Sequence, residues 1–392
     1  LMFQSTGHAA VGGQSLAPPG YGAVADCVAN APGRPVHVLL TDQEAEHIPG
    51  CNMAFRRTEL IGIGGFDPRY RAAGDDVDVC WRILEQGWSI GFQASAVNWH
   101  HCRNSVKAYW SQQKGYGKAE ALLEAKWPGK YNASGHHNWK GRIYTTNSNS
   151  PVSTRRSVIY QGQWGSAPFQ SLYSPTATSW SSITLIPEWF FVVGLLGAMS
   201  LLGVVWKPLL WTLPLLFAAM IVPLVQAAIC ASRVSYPTPA RSLAGHMRRR
   251  LCSIMLHILQ PLARLFGRYQ HGLTPWRKRG GLGSTFEGKC HRQIKLWSET
   301  WRSPAQWLGH IQQSIHTENV PLASGGEFDH WDLEIRGGML GRARLLMAVE
   351  EHGRGKQQLR FRVNSMISGW VLALAAFLGV IAALALLDKA YF

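Results

Sequence analysis

Hydrophobic and polar positions follow three different rules along the 392 residues. Up to about residue 128, short apolar runs are punctuated by glycine and polar turns. Residues 8–13 form one such run, ending in Gly12-Gly13. Residues 35–40 form another, where Val36, Val38 and Leu40 alternate with other side chains in the period of a half-buried strand. The stretch between them, 14–35, is rich in Gly, Pro and Ala and predicts loop. Residues 77–87 (VDVCWRILEQG) predict a helix and 89–99 (SIGFQASAVNW) a strand. Residues 105–127 predict an amphipathic helix or pair of helices, with Gly115 and Gly117 marking a break or a close backbone approach. Strands and helices in this alternation predict an α/β domain.

The second rule is unbroken hydrophobicity. Segments 187–206, 209–231 and 367–387 are each about twenty residues long and almost uncharged, enough to cross a hydrocarbon core of ~30 Å. Only Lys207-Pro208 separates the first two, which predicts a helical hairpin. The third rule holds in the polar remainder. Residues 129–184 predict a linker with short strands, 157–160 among them. Residues 232–327 predict a basic loop, and the segment after Arg248-Arg249-Arg250 has an apolar face, basic flanks and a central Pro261, the pattern of an interfacial helix. Residues 328–366 predict strands joined by glycine turns, a small β module. The expected organisation is therefore 1–128 α/β domain, 129–184 linker, 185–231 transmembrane hairpin, 232–327 basic loop, 328–366 β module and 367–387 transmembrane helix.

Charge narrows the partners. The net charge is +16 and the pI near 9.8, which fits nucleic acid or anionic lipid. The basic residues cluster beside the apolar segments, which favours lipid and argues against nucleic acid. Seventeen tryptophans fit a chain at a bilayer interface. Residues 232–366 carry about twelve more basic than acidic side chains, which places that loop, and the α/β domain with it, on the cytoplasmic side of an inner (plasma) membrane. The seven cysteines form no C-x-x-C pair, which argues against a zinc knuckle or disulfide framework. Cys51 and Cys80 fit small buried apolar positions better than nucleophiles.

Candidate chemistry concentrates between residues 50 and 101. Asp75 and Asp76 open the helix and His100 and His101 close the following strand, so carboxylates and imidazoles fall at the ends of successive elements, on the rim of a sheet. Adjacent carboxylates oppose each other's ionisation, and a rim carboxylate can act as a general base. The same pair also suits a helix start on capping and dipole grounds alone. Asp78 and Arg82 have the spacing of a helical ion pair. Glu350, Glu351 and His352 read as an exposed hairpin end rather than a second metal site.

Several separated motifs in this stretch resemble the second half of a GT-A-type glycosyltransferase of family 2. They are Gly50 and Asn52 followed by Phe55-Arg56-Arg57, then Gly64-Gly65-Phe66-Asp67, Asp75-Asp76-Val77-Asp78, Arg82, His100, and Gln112-Gln113-Lys114-Gly115-Tyr116-Gly117. The resemblance spans roughly residues 7–128 and implies a partial, Rossmann-like GT-A domain. It implies Asp76 as the base, Asp75 as its neighbour orienting the acceptor, and His100 as ligand to a divalent Mn2+ or Mg2+, with His101 the alternative. Gly50, Asn52, Asp78, Arg82, Gln112 and Gln113 are the implied substrate contacts. Two departures stand out: Asp rather than Glu at 75, and Tyr116-Gly117 where processive members carry Arg-Trp. No D-x-D motif lies before Gly50, where Asp26 and Asp42 stand alone, so the chain reads as a piece lacking the nucleotide-binding start. The expected function is inverting transfer of a sugar from a nucleotide-sugar donor to a cell-envelope glycan or lipid-linked acceptor. The rival is a non-catalytic membrane subunit or scaffold of a glycan-synthesis complex.

Overall fold

The computed structural model describes residues 2–132, 135–137, 139–144, 183–234, 236, 242–277, 291–317, 322–325, 330–336, 341–367 and 369–388. The chain divides into two units, Leu1–Leu122 with Asn138–His271, and Leu123–His137 with Gly272–Phe392. The proposed strand at 157–160 lies outside the described residues.

The first unit is α/β, with a mixed sheet. Its strands are β1 (Ala10–Leu16), β2 (His37–Leu39), β3 (Glu44–His47), β4 (Met53–Phe55), β5 (Ile90–Trp99) and β6 (Arg142–Tyr144). They lie in the order β4-β1-β5-β3-β2-β6. β1 and β5 run parallel and the other neighbours antiparallel. The β1–β5 register breaks between Gly13 and Ser15. A Cβ at Gly13 would stand 2.0 Å from the Ala96 oxygen, so only glycine lets the strands approach there. The irregularity frees backbone carbonyls, and the Asn52 amide donates to two of them, Gln14 O at 2.8 Å and Ala96 O at 2.7 Å.

Helices α1 (Met2–Ser5), α2 (Ala23–Ala29), α3 (Arg57–Gly62), α4 (Asp75–Glu85) and α5 (Val106–Lys126) accompany the sheet. α4 begins after Gly74, whose φ of 90° is a left-handed turn that glycine adopts without strain. Three aspartates in its first turn complement the helix dipole. Its inner face, Val79, Cys80 and Ile83, packs on Ala10, Ile48, Ile90 and Phe92, each large side chain contributing about 1.5–3 kcal/mol on full burial. α2 forms where loop was expected. Seven residues are too few for a helical period to show, and it is held by burial of Ala25, Cys27, Val28 and Ala29. α5 is one helix rather than two.

After the sheet come α6 (Trp189–Leu202), a 3-10 segment (Lys207–Thr212), α7 (Leu213–Ser232) and α8 (Leu243–Gln270). α8 is capped by the Ser242 hydroxyl, which accepts from Gly245 N. Gly117 of α5 and Gly267 of α8 meet at a crossing so close that a Cβ on Gly117 would lie 2.3 Å from Arg264 O, and one on Gly267 2.2 Å from Lys114 O. Gly117 is thus a close approach, not a break. Beside it Glu120 accepts from Arg264 at 2.9 Å and from Arg268 at 2.5 Å, and Arg268 reaches Glu188 at 3.0 Å.

Of the three apolar segments, one forms a helix long and apolar enough to cross a membrane among the described residues. Lys207–Ser232 has mean hydropathy 2.2 and only 17% of that stretch is buried, unlike the core helix of a soluble domain. α6 has 14 residues, roughly 21 Å at 1.5 Å per residue, and falls short of the span expected over 187–206. The apolar helix expected over 367–387 forms as α10 (Gly369–Leu387), 19 residues long.

The second unit holds an antiparallel sheet of β7 (His291–Ser298), β8 (Leu322–Ser324), β9 (Leu333–Arg336), β10 (Gly341–Glu351) and β11 (Gln357–Ile367), ordered β7-β11-β10-β9-β8. The helix α9 (Pro304–Thr317) lies between β7 and β8 in the chain. The sheet therefore recruits strands from before residue 328. At the β10–β11 hairpin end, Glu350 pairs with Arg360 at 2.8 Å and lies 4.0 Å from His352, all partly exposed, as a hairpin end would be.

Candidate active site at the acidic rim

α4 delivers Asp76 to the start of the helix with its carboxylate turned back on the preceding motif. Oδ1 accepts from the N–H of Val77 at 2.9 Å and Oδ2 from the N–H of Gly50 at 3.1 Å. The His47 Nε2 stands 3.7 Å from the same Oδ2. Burial pushes the Asp76 carboxyl up, but the His47 ring and the two backbone N–H groups outweigh it, and its pKa lies below the ordinary carboxylate range. Its side chain stays 24% exposed, so an incoming hydroxyl can reach an ionised oxygen. Asp75 goes the other way: burial, then the Asp76 charge, raises it. The two acids are thereby split, as expected for adjacent carboxylates.

His47 is the residue that motif matching missed. It ends β3, is 5% exposed, and stacks on Trp139 with ring centroids 5.4 Å apart. Trp139 in turn lies 5.5 Å from Trp81. Neither His47 ring nitrogen has a hydrogen-bond partner. The available signal was the polar Glu46-His47 pair at the end of a strand just before Gly50; Glu46 is spent on the backbone N–H groups of Lys140 and Gly141.

The other expected contacts divide. Asp78 is fully buried and receives Arg82 Nε at 2.8 Å, while Arg82 Nη1 donates to Ile63 O at 2.7 Å; this pair is turned into the protein and has no surface for substrate. Asn52 is occupied with the sheet irregularity. Gln113 is buried, donating to Gly33 O at 3.1 Å and accepting from Arg264 at 3.3 Å. The hydrogen bonds given for these four side chains all go to the protein. Gly50 contributes its N–H to Asp76.

Gln112 and His100 line a recess with Gly33, Arg34, Pro35 and Arg103. Burial lowers the His100 pKa, and Arg34, Arg103 and His101 lower it further. The two guanidiniums give the recess a positive field that suits an anion. His101 is directed elsewhere, edge-on to Tyr21 at 4.1 Å. Among the described residues no three His, Cys, Asp or Glu side chains converge on a point that could hold a metal ion. On α5, burial raises the Tyr116 phenol and Arg264 opposes it, with smaller contributions from Asp76, which raises it, and Arg103, which lowers it. Arg264 sits over its ring at 5.5 Å.

No protein-family model matches the chain, and no solved structure does. Over 92 residues it is 27% identical to "Pre-mycofactocin glycosyltransferase" of Mycobacterium tuberculosis (strain CDC 1551 / Oshkosh), covering 24% of this chain and 19% of that protein. Over 79 residues it is 28% identical to "Probable glycosyltransferase YdaM" of Bacillus subtilis (strain 168), covering 20% and 18%. The chain thus spans under a fifth of the length of these curated relatives. At this coarse level its similarity is to glycosyltransferases.

Proposed function

We propose that this chain is the acceptor-side part of an inverting, membrane-anchored glycosyltransferase of family 2. The observation that carries the reading is Asp76: a carboxylate with a lowered pKa at a helix start, its side chain about a quarter exposed, with its twin Asp75 pushed toward protonation. An ionised carboxylate takes the proton from an acceptor hydroxyl as the hydroxyl oxygen attacks the anomeric carbon. A single base assisting an in-line attack inverts that carbon. The recess of Arg34, His100, Arg103 and Gln112 receives the anionic diphosphate of the nucleotide-sugar donor, and its guanidiniums offset the charge that grows on the leaving group.

The acceptor is a cell-envelope glycan or a lipid-linked sugar. Lys207–Ser232 anchors the chain and α8, with Arg248, Arg249 and Arg250 near its start, lies along the anionic leaflet. The catalytic part then faces the cytoplasm, where nucleotide sugars are made. The test is Asp76→Asn in the complete protein. Transfer is expected to fall by ~10²-fold or more while binding of labelled donor persists. Unchanged turnover would overturn the base assignment. Absence of donor binding in the unaltered complete protein would instead support a scaffold.

A further inference from the structure

Outside the rim, two cysteines far apart in sequence share one apolar cluster. Cys27 on α2 is 1% exposed and packs with Val28, Ala31, Tyr109 and Leu256, with Cys252 of α8 against the same cluster. The Cys27 thiol lies 3.4 Å from the carbonyl oxygen of Arg249 and donates to it. Arg249 stands three residues before Cys252, on the same side of α8, so the two thiols are brought together across the α2–α8 contact. We propose that Cys27 and Cys252 are a redox-active dithiol, a modification site that closes into a disulfide between α2 and α8 when the protein meets a peroxide.

The two sulfurs are unequal in the way such a pair requires. The Cys27 thiol is pushed far up by the neighbouring Cys252 sulfur and by burial. Cys252 is half-buried; the Cys27 thiol beside it lowers its pKa, burial opposes that and the Arg248 charge adds to it, leaving it at about 7. Cys252 is the attacking thiolate. Its sulfur takes one peroxide oxygen as the O–O bond breaks and hydroxide leaves, becoming water with a proton from solvent, which gives a sulfenic acid. The Cys27 sulfur then loses its proton and attacks the Cys252 sulfur. The S–S bond forms, the S–O bond breaks, and a second water departs. Two thiols and one hydrogen peroxide give one disulfide and two waters. Cys80 marks the contrast: it is buried and raised too, but its core cluster holds no second cysteine, so it has no partner for a disulfide.

The consequence reaches the recess, because Val28, next to Cys27, and Cys102 both line it. The experiment treats the reduced full chain in detergent with hydrogen peroxide, then maps peptides without reductant after alkylating remaining thiols. The expected product is a Cys27–Cys252 linked peptide, formed several-fold faster at pH 8 than at pH 6, unaffected by Cys102→Ser and abolished by Cys252→Ser. The unaltered protein carries the decisive measurement, so a poorly folding variant does not obscure it. Three results overturn the proposal: Cys252 over-oxidised with Cys27 still alkylatable, a Cys102–Cys252 link as the main product, or no linked peptide at peroxide levels that modify the exposed Cys51.

Discussion

Glu120 and Asp76 are both acidic side chains on helices of the first unit, each with an ionisable neighbour, and they are treated in opposite ways. Glu120 is 6% exposed and both its oxygens are taken by the guanidiniums of Arg264 and Arg268. Asp76 has two backbone N–H partners, but its imidazole neighbour stands off at 3.7 Å with both nitrogens unpartnered, and a quarter of the carboxylate is open. A saturated buried ion cluster fixes architecture. An unsaturated one leaves capacity for something that arrives. Asp78 with Arg82 belongs to the first kind, although the motif groups it with Asp76.

The comparison is sharpened most by Glu120→Gln. The buried Arg268 keeps Glu188 but loses Glu120, and the partly exposed Arg264 loses its carboxylate, so the expected loss is about 3 kcal/mol of stability, read by denaturant unfolding in detergent. A change below 1 kcal/mol would mean the cluster is not structural. Acid supplies the next effect. His37 is 5% exposed, its Nε2 donates to Gly13 O at 2.7 Å, and burial lowers its pKa to about 4. Between the unfolded value near 6.5 and the folded value near 4, the unfolded state binds the extra proton. Stability therefore falls as pH drops through that window, by about 3 kcal/mol. His37→Gln should remove that part of the slope while Glu120→Gln leaves it in place.

Smaller still is Gly267→Ala. The new methyl must displace the Lys114 carbonyl, costing about 1–3 kcal/mol, whereas Gly194→Ala, with nothing within 4 Å, should be neutral or slightly stabilising. The smallest effect is a near-balance. His47→Leu removes two buried nitrogens without hydrogen-bond partners but also the imidazole that lowers the Asp76 pKa, so stability should change by less than about 1 kcal/mol, while the Asp76 carboxyl moves up toward the ordinary range, measured by carboxyl NMR titration. Loss of several kcal/mol would place His47 with Glu120 on the structural side.

The helix at 77–87 and the strand at 89–99 could be read from apolar runs bounded by turn residues, and the strand at 35–40 from its alternation, of which only His37–Leu39 forms β2. α2 could not, being too short to display one. Gly117 was legible as an exception but ambiguous between a break and a crossing, since only the partner helix decides. The motif string located the rim, yet Asn52, Asp78 and Gln113 show its limit: a polar residue type says that hydrogen bonds are needed, not whether backbone or ligand receives them. His100 was assigned to a cation by its match to the family histidine; that Arg34, distant in sequence, stands in the same recess is something no motif could report. His47 escaped because strand β3 is four residues long and no spacing rule ties it to Asp76.

Glu188 stands just before the first turn of α6 and is moored through Arg268 to Glu120 on α5, the helix that also carries Tyr116. An apolar helix tied in this manner cannot tilt without pulling on that tether. If α6 rests in lipid, bilayer thickness becomes a mechanical input to the catalytic side, and reconstitution in shorter- or longer-chain lipids should be felt at Tyr116 before any substrate is added.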